Sequence, residues 1–264
     1  MKIFIDSAVR EEIEHAAKLG FVSGVTTNPS LLTKAGGGSL IDTVKWIAQL
    51  DFEHISVEPN TNDIEKFIKQ AIELSQIDER VVIKVPINAN GFETMERLNA
   101  TSIRFMAREE RWQLEKDDKR LHKWKVSNLK INATLGFTPE QALLVAQSKA
   151  DYFSVFFGRI EEGMVSPLLP IPDTIEEALI QNYEKIDSLE AFHKRLQRIA
   201  QICKAKDIQS IADSIHSIDH FNRAAACGYD IATVPYKVLM EIVNNQQTAD
   251  GVQNFLASSA INAN

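Results

Sequence analysis

The residue of this sequence that is most informative about chemistry is Lys84. It interrupts the run Val81-Val-Ile-Lys-Val-Pro-Ile87, which is otherwise apolar and rich in β-branched residues. Burial of an amine in such a strand disfavours the ammonium form and lowers the pKa, so that the amine can attack a carbonyl carbon near neutral pH. The alternative is a side chain that leaves the strand end and reaches solvent. The strand by itself leaves both interpretations open.

Other polar residues close short apolar runs of the same kind. Asp6 and Glu58 are two separated carboxylates, which suit two different proton transfers. Structural alternatives exist, since Asp6 could cap its own turn and Asn28, which precedes Pro29, could cap the next helix. The complete set at the ends of such runs is Asp6, Thr26, Asn28, Glu58, Lys84, Asn132, Thr134, Ser154, Arg159 and Ser214.

The elements that must position these residues recur regularly along the chain. Segments with helical periodicity, such as Arg10 to Leu19 and Pro139 to Ser148, lie between short β-branched runs. Strict alternation of strands and helices is typical of a parallel sheet that is buried on both faces. The predicted strands are Lys2 to Asp6, Gly24 to Asn28, His54 to Glu58, Val81 to Ile87, Leu129 to Leu135, Tyr152 to Phe157, Ile208 to Ser214 and Ile231 to Pro235.

This number of strand and helix units indicates a closed barrel, because an open doubly wound sheet usually has fewer strands. We therefore predict an α/β fold, a single (β/α)8 TIM barrel over residues 1–264, with its chemistry at the carboxyl ends of the strands. The sequence contains no strand–GxGxxG–helix unit, and the glycine run at 36–38 is interpreted as a flexible loop. No dinucleotide cofactor is predicted.

Two connections are longer than an ordinary unit and are interpreted as insertions. The first, near 99–128, is dense in both acids and bases, so a solvated helix packed by Trp112 and Trp124 is favoured over a nucleic-acid contact. The second, near 161–206, contains a proline-rich run at 166–172 and then a helical stretch. It could cover the barrel mouth or pad the outside.

Composition narrows the class of protein. A net charge of −7 provides no field that attracts nucleic acid or an anionic membrane surface. A charge at Asp6 interrupts any signal peptide, and no later run is long enough to span a bilayer. Cys203 and Cys227 have neither zinc-site nor disulfide-framework spacing. We expect a cytoplasmic protein that binds neither nucleic acid nor membrane.

Short motifs that contain these polar residues resemble the transaldolase family, in particular the short-chain branch that also contains fructose-6-phosphate aldolases. The matches extend from residue 3 to the tail and are interrupted by the two insertions. They are Phe4-Ile-Asp6-Ser, Gly24-Val-Thr-Thr-Asn-Pro-Ser30, Ile55-Ser-Val-Glu58, Val82-Ile-Lys84-Val-Pro, Asn132-Ala-Thr134, Ser154-Val-Phe-Phe-Gly-Arg159-Ile, Ala212-Asp-Ser214, Ile231-Ala-Thr-Val-Pro-Tyr-Lys-Val-Leu239 and Thr248-Ala-Asp-Gly-Val-Gln-Asn-Phe-Leu256.

The resemblance implies a class I aldolase-like barrel that needs no metal and no cofactor. Lys84 would form a Schiff base with a ketose, while Glu58 and Thr134 would hold a water molecule that carries protons. Asp6 would take the proton of the C4 hydroxyl as the C3–C4 bond breaks. The substrate hydroxyls would be bound by Asn28, Asn132 and Ser154, with Thr26 supporting Asn28.

The phosphate site implied by the resemblance departs from the family pattern. Members carry an arginine near the end of strand six, and at the end of strand seven a serine followed two residues later by a second arginine. Arg159 and Ser214 match, but His216 replaces the second arginine and offers one donor instead of a permanently charged fork. Asp213 stands where a small residue is usual. It would repel phosphate if it faced the pocket, and it would be harmless if it were paired among the helices.

Two further residues favour one branch of the family. Transaldolases carry glutamate and phenylalanine where the aldolase branch carries glutamine and tyrosine, and Glu58 and Phe156 match the transaldolases. The leading hypothesis is transfer of dihydroxyacetone from fructose 6-phosphate to erythrose 4-phosphate. An aldolase that releases free dihydroxyacetone or accepts a non-phosphorylated sugar is the second hypothesis. A non-catalytic barrel that binds sugar phosphates is the third.

Two smaller expectations complete the sequence analysis. The tail near 248–257 resembles the C-terminal helix with which short-chain members embrace a neighbouring subunit, so a homo-oligomer is expected, a decamer of two pentameric rings or a single pentamer. His216 and His220 are four residues apart, a spacing compatible with two metal ligands, but no third ligand is evident. No metal site is predicted.

Overall fold

A computed structural model describes residues 1–106, 124–164 and 175–261 of the chain. Eight parallel strands close into a barrel in the order β1-β2-β3-β4-β7-β8-β9-β10, with β10 returning to β1. The predicted (β/α)8 barrel and its strands are confirmed. The strands are β1 Lys2–Asp6, β2 Val22–Thr26, β3 His54–Val57, β4 Val81–Pro86, β5 Ser102–Met106, β6 Trp124–Asn128, β7 Lys130–Gly136, β8 Tyr152–Phe156, β9 Gln209–Asp213 and β10 Ile231–Pro235.

Helices cover the outside of the barrel and return the chain from one strand to the next. Several begin at a polar side chain that accepts a backbone N–H, and at Thr138 this becomes a reciprocal capping box with Gln141. The helices are α1 Arg10–Lys18, α2 Pro29–Lys34, α3 Leu40–Ile47, α4 Ile64–Ser75, α5 Ala89–Asn99, α6 Pro139–Gln147, α7 Phe157–Met164, α8 Ile175–Ala205, α9 Ile218–Cys227, α10 Tyr236–Val243 and α11 Gln246–Ile261. Those predicted from Arg10 and from Pro139 are α1 and α6.

Alternation along each strand divides the apolar residues into two cores. The larger core lies between strands and helices and contains outward-facing residues such as Ile5, Ile55 and Ile83. A small cluster of Phe4, Ile211 and Ile231 fills the barrel interior. The Phe4 ring lies so close to Gly24 that a Cβ there would be 2.6 Å from it. The amino-end part of the barrel interior is therefore occupied largely by apolar and aromatic side chains, with the ring of His54 packed against Phe4.

The first insertion differs from the sequence prediction. Its described parts, β5 and β6, form an antiparallel pair instead of a helix, and Trp112 and the rest of 107–123 lie outside the described residues. The expectation of a helix was wrong for both arms, because the high charge content hid a two-residue alternation such as Ser102-Ile-Arg104. The pair follows α5 and leads directly into the amino end of β7.

The second insertion consists of α7, α8 and a segment, 165–174, that lies outside the described residues together with its proline-rich run. Helix α8 is 31 residues long. Its carboxyl half buries Phe192, Leu196 and Ile199 in the core between strands and helices. This half of α8 therefore pads the outside of the barrel, which was one of the two arrangements expected for the insertion.

The last helix, α11, presents large apolar side chains to solvent. The exposed fractions are 77% for Phe255 and 66% for Leu256, and these are high values for residues of this size. Within the described ranges, no helix combines the length and apolar character needed to cross a bilayer.

Candidate active site

Lys84 lies inside the barrel and does not reach solvent. Its side chain is 0% exposed, so the alternative in which it leaves the strand end is excluded. In the strand register, Lys84 is paired with Asn132 of β7, and the carboxylates of Asp6, Asp213 and Glu58 are near enough to act on its charge. The barrel thereby brings together side chains that are far apart in the sequence.

The closest partner of Lys84 is Asp213, at the end of β9. Lys84 Nζ donates to Asp213 Oδ2 at 3.0 Å, and the other carboxylate oxygen, Oδ1, accepts the backbone N–H of Ser214 at 2.7 Å. Asp213 is 2% exposed. The carboxylate of Asp213 therefore faces the barrel interior and is paired with Lys84.

Charge, not burial alone, determines the protonation of Lys84. Burial by itself would lower its pKa, but the carboxylates of Asp213, Asp6 and Glu58 outweigh burial and raise the pKa above the ordinary lysine value. The sequence-based expectation of a lowered pKa is therefore wrong for the free protein. That expectation was based on the apolar strand around Lys84 alone and did not include the carboxylates that other strands contribute.

Asp6 is the second carboxylate of this cluster. The Thr26 hydroxyl donates to Asp6 Oδ1 at 2.7 Å and contacts the hydroxyl of Thr233 at 2.5 Å. Burial, followed by the charge of Asp213, raises the pKa of Asp6 to about 7, against the opposing effects of Lys84 and of the Thr26 hydrogen bond. A carboxylate that titrates near neutrality suits a general base.

Glu58 is the third carboxylate and follows β3. Burial raises its pKa, the positive charge of Lys84 lowers it, and the charge of Asp213 raises it further. Glu58 also lines a cavity of about 340 Å³ whose wall includes Pro29, Gly38 and Gln70. Its other lining residues belong to α2, α3, α4 and the segments beside them, so the cavity lies among the helices and not inside the barrel.

A hydrogen-bonded chain crosses the barrel next to Lys84. Ser154 donates to Asn132 Oδ1 at 3.0 Å, and Asn132 Nδ2 donates to the hydroxyl of Ser56 at 3.3 Å. Ser56 in turn contacts His54 Nε2 at 2.7 Å. Burial, assisted by the charges of nearby lysines, lowers the pKa of His54 to about 3, so its ring is neutral. The chain fixes the amide of Asn132 in one orientation.

Three residues of the site, Ser56, His54 and Thr233, were not predicted from the sequence. The first two precede Glu58 by two and four residues on one strand, so a two-residue period counted back from Glu58 would have placed them inside the barrel. Thr233 carries no such signal, since it lies in an otherwise apolar strand with no polar residue of known direction.

Thr134 and Phe156 complete the surroundings of Lys84. The Thr134 hydroxyl is buried and has no hydrogen-bond partner among the described residues. The next residue, Leu135, has a positive φ of 62°, which is uncommon for leucine and typical of backbone that is constrained at a site. The ring centroid of Phe156 is 6.0 Å from Lys84 Nζ. Thr134 therefore offers an unpaired hydroxyl two residues after Asn132 on β7.

Asn28 and Thr26 differ from the expected arrangement. Asn28 Oδ1 accepts the backbone N–H of Leu31 at 2.9 Å and so caps α2, as its structural alternative proposed. The expectation that Thr26 supports Asn28 was wrong, since its hydroxyl donates to Asp6. Asp6 does not cap α1, because the N-cap residue of this helix is Val9 and the cap has no side-chain hydrogen bond.

The residues expected to bind phosphate lie together, where β8 and β9 end. The backbone N–H of Gly158 donates to Ser214 O at 2.9 Å, which places Arg159, exposed on α7, beside that segment. Ser214 Oγ contacts His216 Nε2 at 3.1 Å. The His216 ring covers Gly158, where a Cβ would be 2.4 Å from it. A larger residue at position 158 would have to displace the ring of His216.

The region that contains Arg159, Ser214 and His216, which we call the phosphate corner, also contains acidic residues. His216 Nδ1 lies 3.6 Å from Glu162 Oε1, and the buried ring of His220 contacts Glu161 Oε2 at 2.6 Å. The other His220 ring nitrogen, Nδ1, accepts the backbone N–H of His216 at 3.2 Å. Both ring nitrogens of His220 are thus engaged by protein atoms. The two histidines of this region are therefore already engaged by protein atoms.

The fold and the site together define a (β/α)8-barrel protein with a buried lysine and three carboxylates at the carboxyl ends of its strands. The sequence profile of the family described as Transaldolase/Fructose-6-phosphate aldolase matches residues 3–263. The chain belongs to this family.

Relatives agree over nearly the whole length. A protein named probable transaldolase from Thermoanaerobacter sp. (strain X514) is 34% identical over 255 residues, which cover 97% of this chain and 95% of the relative. Another of the same name, from Myxococcus xanthus (strain DK1622), is 32% identical over 257 residues, with 97% and 93% covered. Among solved structures, a mandelate oxidase mutant superposes with a TM-score of 0.52 over 97% of this chain and 71% of its own, at 13% identity. That likeness reflects the barrel fold alone.

Proposed function

We propose that the protein is a transaldolase that transfers a dihydroxyacetone unit from fructose 6-phosphate to erythrose 4-phosphate through a Schiff base on Lys84. The observation that carries the proposal is the fully buried amine of Lys84, ringed by the carboxylates of Asp6, Glu58 and Asp213. Once Lys84 has passed its proton to a neighbouring carboxylate, the neutral amine can attack a carbonyl, and the carboxylates can relay protons without a metal or cofactor.

The chemistry begins with addition of the neutral Lys84 amine to the C2 carbonyl of the ketose, which gives a carbinolamine. Loss of its hydroxyl as water leaves the protonated Schiff base. Glu58, whose pKa burial raises, and Thr134, whose hydroxyl is unpaired among the described residues, would hold the water that carries these protons. The amide of Asn132 and the hydroxyl of Ser154 bind sugar hydroxyls.

Carbon–carbon cleavage follows from the protonated Schiff base. Asp6 takes the proton of the C4 hydroxyl, a carbonyl forms at C4, and the C3–C4 bonding electrons move into the iminium to give an enamine. The aldose phosphate leaves. The enamine then attacks the aldehyde carbon of the acceptor, Asp6 returns its proton to the new hydroxyl, and water releases the product ketose from Lys84.

Product analysis from fructose 6-phosphate, with and without erythrose 4-phosphate, tests the proposal. We expect sedoheptulose 7-phosphate and glyceraldehyde 3-phosphate when the acceptor is present, and little turnover when it is absent. Free dihydroxyacetone formed equally in both reactions would instead identify an aldolase. No product in either reaction, from protein whose circular dichroism shows that it is folded, would contradict both.

A second candidate is an aldolase or transaldolase that acts on a non-phosphorylated sugar, and the phosphate corner favours it. The Ser214 N–H is occupied by Asp213, and His216 faces Glu162. A phosphate dianion that bound there would have to displace these contacts and would meet nearby carboxylates. Comparing fructose with fructose 6-phosphate as donors distinguishes the two candidates, since the second predicts equal or better use of fructose.

Substituting His216→Arg should lower the KM for fructose 6-phosphate by about tenfold. The reason is one additional charge-assisted contact from a planar fork, equivalent to about 1.4 kcal/mol. The side chain is 52% exposed, so the longer residue has room. Initial rates over a range of donor concentrations provide the measurement, and unphosphorylated fructose serves as the control substrate, whose KM should not change. An unchanged KM for the phosphorylated donor would place His216 outside the phosphate site.

We further propose a cytoplasmic homo-oligomer in which α11 contacts a neighbouring subunit. Phe255, Leu256 and Val252 expose apolar surface on one stretch of this helix, which supports the proposal. Light scattering should give the mass of a pentamer or decamer, and the double substitution of Phe255→Ser and Leu256→Ser should reduce it. A monomeric mass for the unaltered protein would refute this proposal.

A further inference from the structure

Asp213 has no part in the scheme above, yet it is the carboxylate that holds the reacting amine by a direct hydrogen bond. Lys84 Nζ lies 3.0 Å from its Oδ2, and both side chains are excluded from solvent. We propose that Asp213 is a positioning residue that keeps Lys84 in its ammonium form in the free protein and thereby sets the pH range in which the Schiff base forms. This inference rests on the proposed function.

The geometry gives Asp213 a fixed place. Its Oδ1 accepts the N–H of Ser214, whose φ of 56° turns the chain sharply out of β9. The carboxylate is therefore clamped between the backbone of its own strand end and the ammonium of Lys84. A clamped, desolvated counter-ion stabilises a buried charge far more than an exposed one does.

The charges around Lys84 come from several strands. Asp6 on β1 and Glu58 after β3 act on Lys84 through charge, whereas Asp213 adds a hydrogen bond to its charge. His54 is held neutral by burial. Other charged groups act on these neighbours. Lys34 on α2 lowers the pKa of Asp6, and Lys130 lowers the pKa of His54. Burial, followed by the charge of Asp151, raises the pKa of Tyr152. The strongest single hold on the ammonium is that of Asp213.

Removal of the Asp213 charge should move two protonation equilibria in the same direction. Lys84 must be neutral to attack, and its pKa, which Asp213 raises, would fall. Asp6 must be ionised to act as a base, and its pKa of about 7, which Asp213 also raises, would fall too. Both changes extend the reaction to lower pH. A residue with a structural role alone would change stability and leave the pH profile in place.

The test is the pH dependence of adduct formation. Wild-type protein and variants are incubated with fructose 6-phosphate and cyanoborohydride from about pH 6 to 11.5, a range that extends above the ordinary pKa of a lysine. Mass spectrometry measures the initial rate of labelling of Lys84. Asp213→Asn removes the charge with little change of shape, and Asp213→Ala installs the small residue usual in the resembling family. Asp213→Glu keeps the charge.

Asp207→Asn is the matched control. Asp207 lies beside the amino end of β9, at the opposite end of the same strand, and is exposed. Its φ of 56° is well tolerated by asparagine. The substitution therefore makes the same chemical change in the same strand unit without touching the site. Circular dichroism confirms that each variant is folded before it is compared.

We expect the midpoint for Asp213→Asn and for Asp213→Ala to lie lower by about one pH unit or more, the size of shift that a neighbouring opposite charge produces. Wild type, Asp207→Asn and Asp213→Glu should share one midpoint. A midpoint that stays in place in either folded charge-removing variant, with Lys84 still labelled, would overturn the inference and leave the Schiff-base proposal intact. Absence of any Lys84 label in wild type would overturn both.

Discussion

Borohydride added together with fructose 6-phosphate is expected to attach the reduced sugar irreversibly to Lys84, and Lys84→Met should abolish both the adduct and turnover. The amine is the group that bonds to the substrate, so no other side chain can replace it. Methionine keeps most of the volume of a side chain that is completely buried. Lys69→Met, at an exposed position on α4, is the control and should label as wild type does.

The location of the label decides the outcome. Peptide mapping that finds the sugar on a different lysine, or finds none, would reject the assignment of Lys84. Turnover that EDTA abolishes would indicate a metal-dependent aldolase, in which a cation and not an iminium accepts the electrons. A barrel that binds the sugar phosphate without turning it over, the third hypothesis, would show ligand binding together with no adduct.

Asp6→Asn should leave the adduct on Lys84 and slow carbon–carbon cleavage by about 10²- to 10⁴-fold, the usual contribution of a positioned general base. An amide cannot take the C4 hydroxyl proton, although it can keep the hydrogen bond from Thr26. Single-turnover measurements of adduct formation and of aldose phosphate release separate the two steps. The adduct thus provides an internal control for folding and binding.

The same residue predicts the low-pH side of the activity profile. Because the pKa of Asp6 is raised to about 7 and the ionised form is the base, wild-type cleavage should rise with pH through that region. Cleavage at the wild-type rate by Asp6→Asn would assign Asp6 a structural role and leave the base unidentified.

Most of the fold follows from sequence, because apolar β-branched runs and intervening helical periods are both local signals. All eight barrel strands were predictable in this way, as were the strand-end positions of Asp6, Glu58 and Lys84. The β5–β6 pair was not, since a charge-rich segment suits an exposed strand as well as an exposed helix.

The electrostatics of the site could not be read from local signals. Whether Asp213 faces the barrel depends on which alternate positions of β9 point inward, and nothing in that strand indicates this. The protonation of Lys84 depends in turn on acids from β1, β3 and β9, which only the closed barrel brings together. The family resemblance implied that Thr26 supports Asn28, whereas its hydroxyl donates to Asp6, the residue paired with it on the adjacent strand β1.

The β5–β6 pair lies at the end of the barrel opposite to the site, so changes in the pair and changes in the site have different consequences. The pair joins the amino end of β7, whereas the site lies at the carboxyl ends of the strands. In this fold the amino-end face contributes to stability and the carboxyl-end face to chemistry. Changes in the length or sequence of the pair can therefore accumulate without altering the reaction. Selection that acts on the pair would therefore change the stability of the barrel or the contacts of its amino-end face, and not the arrangement of Lys84 and its carboxylates.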